Sequence, residues 1–420
     1  MRADNATSRD RALTAIVVVA LVVRLAYWLS KWSAPLQLND SIYYSGQAYQ
    51  LVHGHFFREL FVNQPGAEHG PLTAVLMAPL TIGASYVRWQ RLVTVAAGVT
   101  TVWAIGRCTR RIAGRRVALI AAGIAAVYPN LWMNDGLVMS ESVSILLVVL
   151  SLWAAHVAAT SPGRRPLVLL GVALGLATLA RSELVLLAPL VLLWLVVARR
   201  RAAGKGSPMP WRPVVLAGVT AVAVVLPWVT FNVARFERPV TLSTNDGTTL
   251  IGANCDDMYH GGNTGGWTVL CVLADPQYSP AEEPSVRSAR ERSIGLHYVR
   301  DHLGELPRVM VARAGRSLDL YGLRDMLHQD VGEERPRWAA WAGIVAFWAL
   351  AVLAVVGARR MRRRDRWLLL APVLVSAITT VAFYGGHRIR SSAEPSIVIF
   401  AALAVGALID RTRGREAADE

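Results

Sequence analysis

Apolar runs about as long as a bilayer is thick alternate with short basic loops along nearly the whole chain. Crossing the hydrocarbon core takes about 20 apolar residues, with a range of roughly 17 to 25. Runs of that kind lie near residues 13–29, 88–106, 117–131, 141–158, 167–180, 183–198, 213–231, 338–357, 367–384 and 395–410. The pattern predicts an all-α polytopic membrane protein with about ten transmembrane helices. The stretch 71–84 (PLTAVLMAPLTIGA) is apolar but short and interrupted by prolines, so it is expected to lie on the membrane surface or re-enter it.

Basic residues sort the loops into two sets. One side of the predicted topology receives Arg2, Arg9 and Arg11, the segment RCTRRIAGRR (107–116), Arg164 and Arg165, ARRRAAGK (198–205) with Arg212, ARRMRRRDR (358–366), and Arg411, Arg413 and Arg415. Short loops rich in Arg and Lys stay in the cytoplasm, so this side and both termini are expected there, in the cytoplasmic membrane. The first run is too long for a signal peptide and no small-residue cleavage site follows it, so an uncleaved first span is expected. Two long segments, 31–87 and 232–337, and the turn 385–395 fall on the outer side. Three parts follow: an N-terminal catalytic membrane module 1–231 including the first external loop, a large external loop domain 232–337, and C-terminal spans with a tail 338–420. Within the large loop, 241–275 is rich in Thr, Gly and Asn and predicts strands and turns. From 284 to 320 the pattern turns helical and amphipathic, with Arg287, Arg290, Arg313 and Arg316 expected to rest on lipid headgroups.

Composition narrows the class. Of 420 residues, 54% are hydrophobic and 17% charged, which excludes a soluble enzyme and a disordered chain. The net charge of +15 is almost all arginine, but the arginines punctuate apolar runs instead of forming one basic face, so no nucleic-acid partner is expected. The Arg-rich, Lys-poor usage hints at a GC-rich bacterial source. Three cysteines cannot form a disulfide framework, yet Cys255 and Cys271 both fall in the outer, oxidising compartment, and a bridge between them is expected.

Charges kept beside or within a membrane need a partner, a water-filled cavity or a function. The acidic candidates at the outer face are Asp40, Glu68 beside His69, Asp135, Glu141, Glu183 and Glu394; the basic ones are Arg24, Arg181, Arg388 and Arg390. Arg24 reads most simply as a snorkelling or paired cation, Glu183 as a partner of Arg181 or a helix-start carboxylate, and His69 before Gly70-Pro71 as a cap. Asp40 and Glu141 also have a bland reading at helix starts, but a less sufficient one.

The order and spacing of these pieces resemble the GT-C superfamily of integral-membrane glycosyltransferases, in the branch of protein O-mannosyltransferases and the lipid A aminoarabinose transferase, related to bacterial glycosyltransferase family 39. The carriers are Asn39-Asp40 with Tyr43-Tyr44 and Gly54, HGPL (69–72) opening a surface helix, Ser140-Glu141, GLATLARSELVLLAPL (175–190), Pro227-Trp228 with Asn232, STNDGTTLIGAN (243–254) and HRIRSSAEP (387–395). The resemblance implies a GT-C-like arrangement and transfer of a hexosyl or pentosyl unit, with inversion, from a polyprenyl-phosphate donor to a cell-envelope glycan, lipid or protein. It implies Asp40 as general base, Glu141 as a second catalytic carboxylate, and Arg388 and Arg390 as the pair facing the donor phosphate. His69, Glu68, Arg181 and Tyr44 complete the expected substrate-binding set. The sequence departs from the family at Asn39-Asp40, where the protein mannosyltransferases often have two acidic residues, and at Phe231-Asn232, where many bacterial relatives have Arg-Asn.

The chemistry agrees. Displacing a sugar from a phosphodiester needs a base for the acceptor's proton, whereas the leaving phosphate is a weak base that needs no general acid. Glycosidases need two carboxylates because their leaving group is an alkoxide. Fixed arginines suit the growing charge on the phosphate. Burial would raise the pKa of Asp40 and the arginines would lower it, and the sequence leaves that balance open. No His/Asp cluster has metal-ligand spacing, so no cofactor is expected and divalent-metal dependence stays open. The alternative class, a polytopic transporter or lipid flippase, would favour internal repeats and charges near the midplane, whereas here the charges gather at one face.

Overall fold

The computed structural model describes residues 2–37, 40–204, 209 and 211–419, with side chains described between Arg11 and Thr412. Asn39 and Lys205 lie outside the described residues, as do the side chains of Arg2, Arg9, Arg413 and Arg415. The helices are α1 (Arg2–Ser30), α2 (Asp40–Val52), α3 (Leu72–Met77), α4 (Tyr86–Val127), α5 (Glu141–Thr160), α6 (Arg165–Ala180), α7 (Leu187–Ala203), α8 (Trp211–Val233), α9 (Asn245–Ala253), α10 (Val269–Leu273), α11 (Pro284–Asp301), α12 (Leu306–Ser317), α13 (Leu323–Gly332), α14 (Arg337–Arg360), α15 (Arg363–Ala382), α16 (His387–Arg390) and α17 (Glu394–Asp419). Single turns join some of them, and the described residues contain no β-strand.

Among the described residues, eight helices are long and apolar enough to cross a membrane, and α6 is a shorter apolar one. The longest, α4, is two helices joined at Gly114, whose φ of 83° only glycine adopts readily. A Cβ on Gly106 would lie 3.5 Å from the Cβ of Ala122, a closeness that a continuous helix forbids at that separation. The two arms therefore fold back on each other as a hairpin, and the runs 88–106 and 117–131 fall one on each arm. The chain between Pro71 and Ala84 forms only α3 and a 3-10 turn, Ala78–Leu80, far short of the roughly 30 Å of a hydrocarbon core.

Small residues set the helix contacts. Gly171 and Gly175 sit one turn apart on α6 and face the Ala217 and Ala221 carbonyls of α8, where an added Cβ would come within 2.4 and 2.8 Å. Such close approach is how helices associate in lipid, where burial of apolar surface gives no drive. Gly357 of α14 meets the Phe400 carbonyl of α17 in the same way. The fully buried Arg24 of α1 donates to Asp135 at 2.7 Å and to the Ala126 carbonyl at 3.0 Å. Gly98 gives the Asp135 carboxylate its room, since a Cβ there would collide with it. The expected pairing of Arg24 is found, and it ties α1, the α4 hairpin and the turn before α5 together.

The polar segment between α8 and α14 corrects two expectations. Residues 241–275 form α9, α10 and single turns instead of strands. Their glycines serve helix contact: Gly247 lies against the Ser288 backbone of α11, and Gly252 against the Trp267 ring. Of the four arginines expected on lipid headgroups, Arg313 and Arg316 are instead buried, and Arg287 and Arg290 are partly buried beside carboxylates. Arg290 pairs with Asp275 and Glu282, and Arg287 stands 4.0 Å from Glu291. Arg313 and Arg316 are buried, the first donating to Asn254 at 2.9 Å and the Val381 carbonyl at 3.0 Å, the second to Asp325 at 2.6 Å and the Thr264 carbonyl at 2.9 Å. They fasten the segment to itself and to α15. Cys255 and Cys271 are joined as expected, and Cys108 is free and buried in α4.

Removing one member of a buried pair leaves an uncompensated charge, at a cost of about 3–5 kcal/mol. Arg24→Leu is therefore expected to lower the thermal midpoint of the purified protein sharply, and Arg24→Leu/Asp135→Leu to recover most of the loss. A double variant as unstable as the single one would show that the pair is not what stabilises this junction.

Candidate active site

Four segments meet at one end of the helix bundle: the start of α2, the loop before α3, the head of α5 with the turn after α6, and α16. Arg388 is their hub. It donates to Asp40 at 2.5 Å, to Glu141 at 2.7 Å and to Glu333 at 3.2 Å. Arg181, extended at the end of α6, bridges Glu141 at 2.9 Å and Glu183 at 2.5 Å. Glu141 is fully buried, and its second oxygen has no protein partner. Two guanidiniums and four carboxylates thus share a confined volume, and Arg335 on Glu333 and His69 beside Asp40 bring further cationic groups to it, as a low dielectric demands of buried charge.

His69 faces Asp40 from the other side, its Nε2 3.5 Å from Oδ1, which is ion-pair range but too long for a well-formed hydrogen bond. That nitrogen is buried without a hydrogen-bond partner. The ring is stacked on Tyr44 at 5.1 Å and edge-on to Tyr43 at 5.2 Å, so its direction is set by packing. Asp40 therefore has one oxygen held by Arg388 and the other facing His69 without a well-formed hydrogen bond. Burial alone would raise the Asp40 carboxyl, but the charges of Arg388 and His69 outweigh it and hold it well below the usual carboxylate range. His69 is lowered by burial and raised more by Asp40, for a net upward shift.

These groups line a cavity of about 420 Å³. Asp40, Tyr44, Glu68, His69, Arg181 and Arg388 form one wall, Val185, Leu186, Ile378 and Phe383 an apolar one, and Asn245, Thr248 and Trp267 of the polar segment a third. Glu141 stands behind the first wall and reaches the cavity only through the two arginines. Arg390 does not enter it: buried, it donates to Glu394 at 2.7 Å and Asp319 at 2.8 Å and lies 3.6 Å from the centre of the Phe347 ring. Residues two apart on a helical turn point to nearly opposite sides, so Arg388 and Arg390 cannot share a target. A larger hollow of about 1000 Å³, lined in part by Lys31, Gln37, Arg324 and Glu334, holds none of the residues singled out in the sequence. Size does not choose the site here; convergence of charged groups does.

Two contributors escaped the sequence reading. Glu333, the third carboxylate on Arg388, sits in Gly-Glu-Glu-Arg, which reads as a solvated turn; its place near a span head was the one available signal. Arg235, one turn beyond Phe231-Asn232, packs 4.3 Å from the Phe231 ring and donates to Asn232 at 2.9 Å. Among the described residues, no group of three or more His, Cys, Asp and Glu is disposed to hold a metal ion.

Residues 69–228 match the dolichyl-phosphate-mannose-protein mannosyltransferase family. A probable arabinosyltransferase A of Mycolicibacterium smegmatis is 34% identical over 147 residues, which is 33% of this chain and 13% of that protein. The fold is similar to that of the Archaeoglobus fulgidus oligosaccharyltransferase in its apo form, with a TM-score of 0.60 and 16% identity over 98% of this chain and 52% of that one. The same enzyme in complex with an inhibitory peptide and a dolichol-phosphate gives 0.60 and 16% over 97% of this chain and 51% of that one. The chain spans about half the length of these structures and a small part of the arabinosyltransferase.

Glu59 offers a pH test of the site's rim. Burial first, and the charge of Glu68 second, push its carboxyl up to about 7. A raised carboxyl pKa favours the folded state while the group is protonated, so that contribution is full below about pH 4.3 and lost as pH rises toward 7. Glu59→Gln is expected to melt above wild type at pH 8 and level with it near pH 5, as read by thermal unfolding at the two pH values. An equal offset at both would remove Glu59 as the source.

Proposed function

We propose that this chain is a GT-C-type integral-membrane glycosyltransferase, a reading its fold and partial sequence match support, and that it transfers a hexosyl or pentosyl unit from a polyprenyl-phosphate donor to a cell-envelope acceptor at the outer face of the cytoplasmic membrane, with inversion at the sugar. The observation that carries the reading is Arg388 clasping Asp40 in a cavity lined by both charged and apolar side chains. The polyprenyl chain lies along Val185, Leu186, Ile378 and Phe383, and the sugar faces the polar wall. The family and relatives matched are named for mannosyl and arabinosyl transfer, and the archaeal neighbour of like fold was solved with a dolichol-phosphate.

The residues divide the work. The free Asp40 oxygen takes the acceptor hydroxyl's proton, with His69 Nε2 placed to hold that hydroxyl's oxygen. Arg388 and Arg181 receive the charge that grows on the departing phosphate. In the resting site Arg388 is spent on Asp40; a phosphate that draws the guanidinium away weakens that hold, so donor binding makes Asp40 a stronger base. Glu141 orients the two arginines. Glu68 and Tyr44 shape the acceptor side, and Arg390 fixes the helix that carries Arg388.

The test is transfer by the purified protein from a panel of polyprenyl-phosphate sugars that includes mannose and arabinose. Wild type is expected to release polyprenyl phosphate, Asp40→Asn to lose about 10²-fold or more in kcat with donor binding retained, and Arg388→Ala to weaken donor binding. Activity retained in Asp40→Asn removes it as the base. Failure to bind any lipid-linked sugar, together with solute movement in proteoliposomes, assigns the fold to transport instead.

A further inference from the structure

His387, the residue before Arg388, lies outside the cavity and has no part in the chemistry proposed above, yet both of its ring nitrogens are engaged. Nδ1 is 2.7 Å from a carboxylate oxygen of Asp330, and Nε2 is 2.5 Å from one of Asp319. An ionised carboxylate only accepts, so each nitrogen must donate, and the ring holds both protons as an imidazolium. Both aspartates are buried, and although burial raises their carboxyls, His387 with Arg390 on one side and with Arg335 on the other holds them below the usual range. Asp319 sits at a φ of 56°, a left-handed conformation that Asp tolerates better than most residues.

The outer oxygens of the two aspartates are also taken. Asp319 accepts from Arg390 at 2.8 Å and Asp330 from Arg335 at 3.2 Å. Arg335 pairs in turn with Glu333, and Glu333 with Arg388. Two neighbours in sequence, His387 and Arg388, therefore meet two acidic residues about one helical turn apart, Asp330 and Glu333, through parallel ion pairs. Glu394, across the small gap that His387 borders, is committed to Arg390 and Tyr128. The guanidinium of Arg388 is held by its own three carboxylates, and the His387–Asp330 pair fixes the backbone that carries it.

We propose that His387 is a positioning residue: as an imidazolium clasped between Asp319 and Asp330, it locks the end of α13 to the head of the last span and so aims Arg388 at Asp40. The role in turnover rests on the glycosyl-transfer reading; the clamp itself does not. No proton moves in the reaction on its account.

Nitrogen-15 NMR of histidine-labelled wild type in lipid nanodiscs, with His387 assigned by its loss in His387→Gln, reads the clamp directly. Both ring nitrogens are expected to be protonated at about pH 8, where an ordinary histidine is neutral; a neutral ring overturns the proposal. In His387→Gln the amide donates to one aspartate and turns its oxygen on the other, so kcat is expected to fall about tenfold or more at about pH 8. The ratio of variant to wild-type kcat should then rise at least about fivefold by about pH 5, as protonation of the facing aspartate restores its hydrogen bond. A ratio flat with pH overturns the positioning role. Asp330→Asn, which keeps an acceptor for the ring, serves where the glutamine variant does not fold, and the wild-type NMR stands regardless. A charged His387 in a protein that transfers no sugar from any donor supports the clamp and removes the reaction.

Discussion

A guanidinium that answers to three carboxylates is the constraint around which this bundle is organised. Arg388 is held by Asp40, Glu141 and Glu333, which come from positions far apart in the chain. Each of those charges alone would be intolerable beside lipid. Arg181 beside Glu141 and Arg335 beside Glu333 add the further positive charge that three carboxylates need, and the shared contacts fix four chain segments to within a few ångströms.

Around this hub the remaining buried ions follow the same rule at several depths. Arg24 with Asp135, Arg91 with Glu334, and Arg390 with Asp319 each join segments distant in sequence, while Arg390 with Glu394 ties α16 to the start of α17. Apolar surface cannot direct helices in lipid, so glycine contacts bring backbones close and ion pairs select which helices meet. The arginine excess that marks the loops is thus also spent inside the fold.

Much of this could be read from the sequence because membranes impose simple rules. The apolar runs fell on helices because every buried backbone group must be bonded locally. Asp40, His69, Arg181 and Arg388 came together because each stands beside a predicted span on the same side. Pattern failed where partners are set by tertiary contact. Gly247 resembles a turn former but, with Gly295, serves as a flat contact surface between α9 and α11. The amphipathic stripe of 284–320 looks surface-seeking, yet Arg313 and Arg316 point inward to carbonyls that no periodicity announces. Arg390 was grouped with Arg388 on proximity in sequence, and helix geometry separates them.

The hairpin at Gly114 bears on how the protein is made. Its second arm, residues 115–127, reaches only about 20 Å at 1.5 Å per residue, well short of the hydrocarbon thickness. Alone it would partition poorly from the insertion machinery into lipid. Folded against the first arm, with Gly106 allowing close contact, it can enter as the lighter half of a pair that inserts together. A glycine with open space around it thus sets where the chain turns back and which two arms are paired.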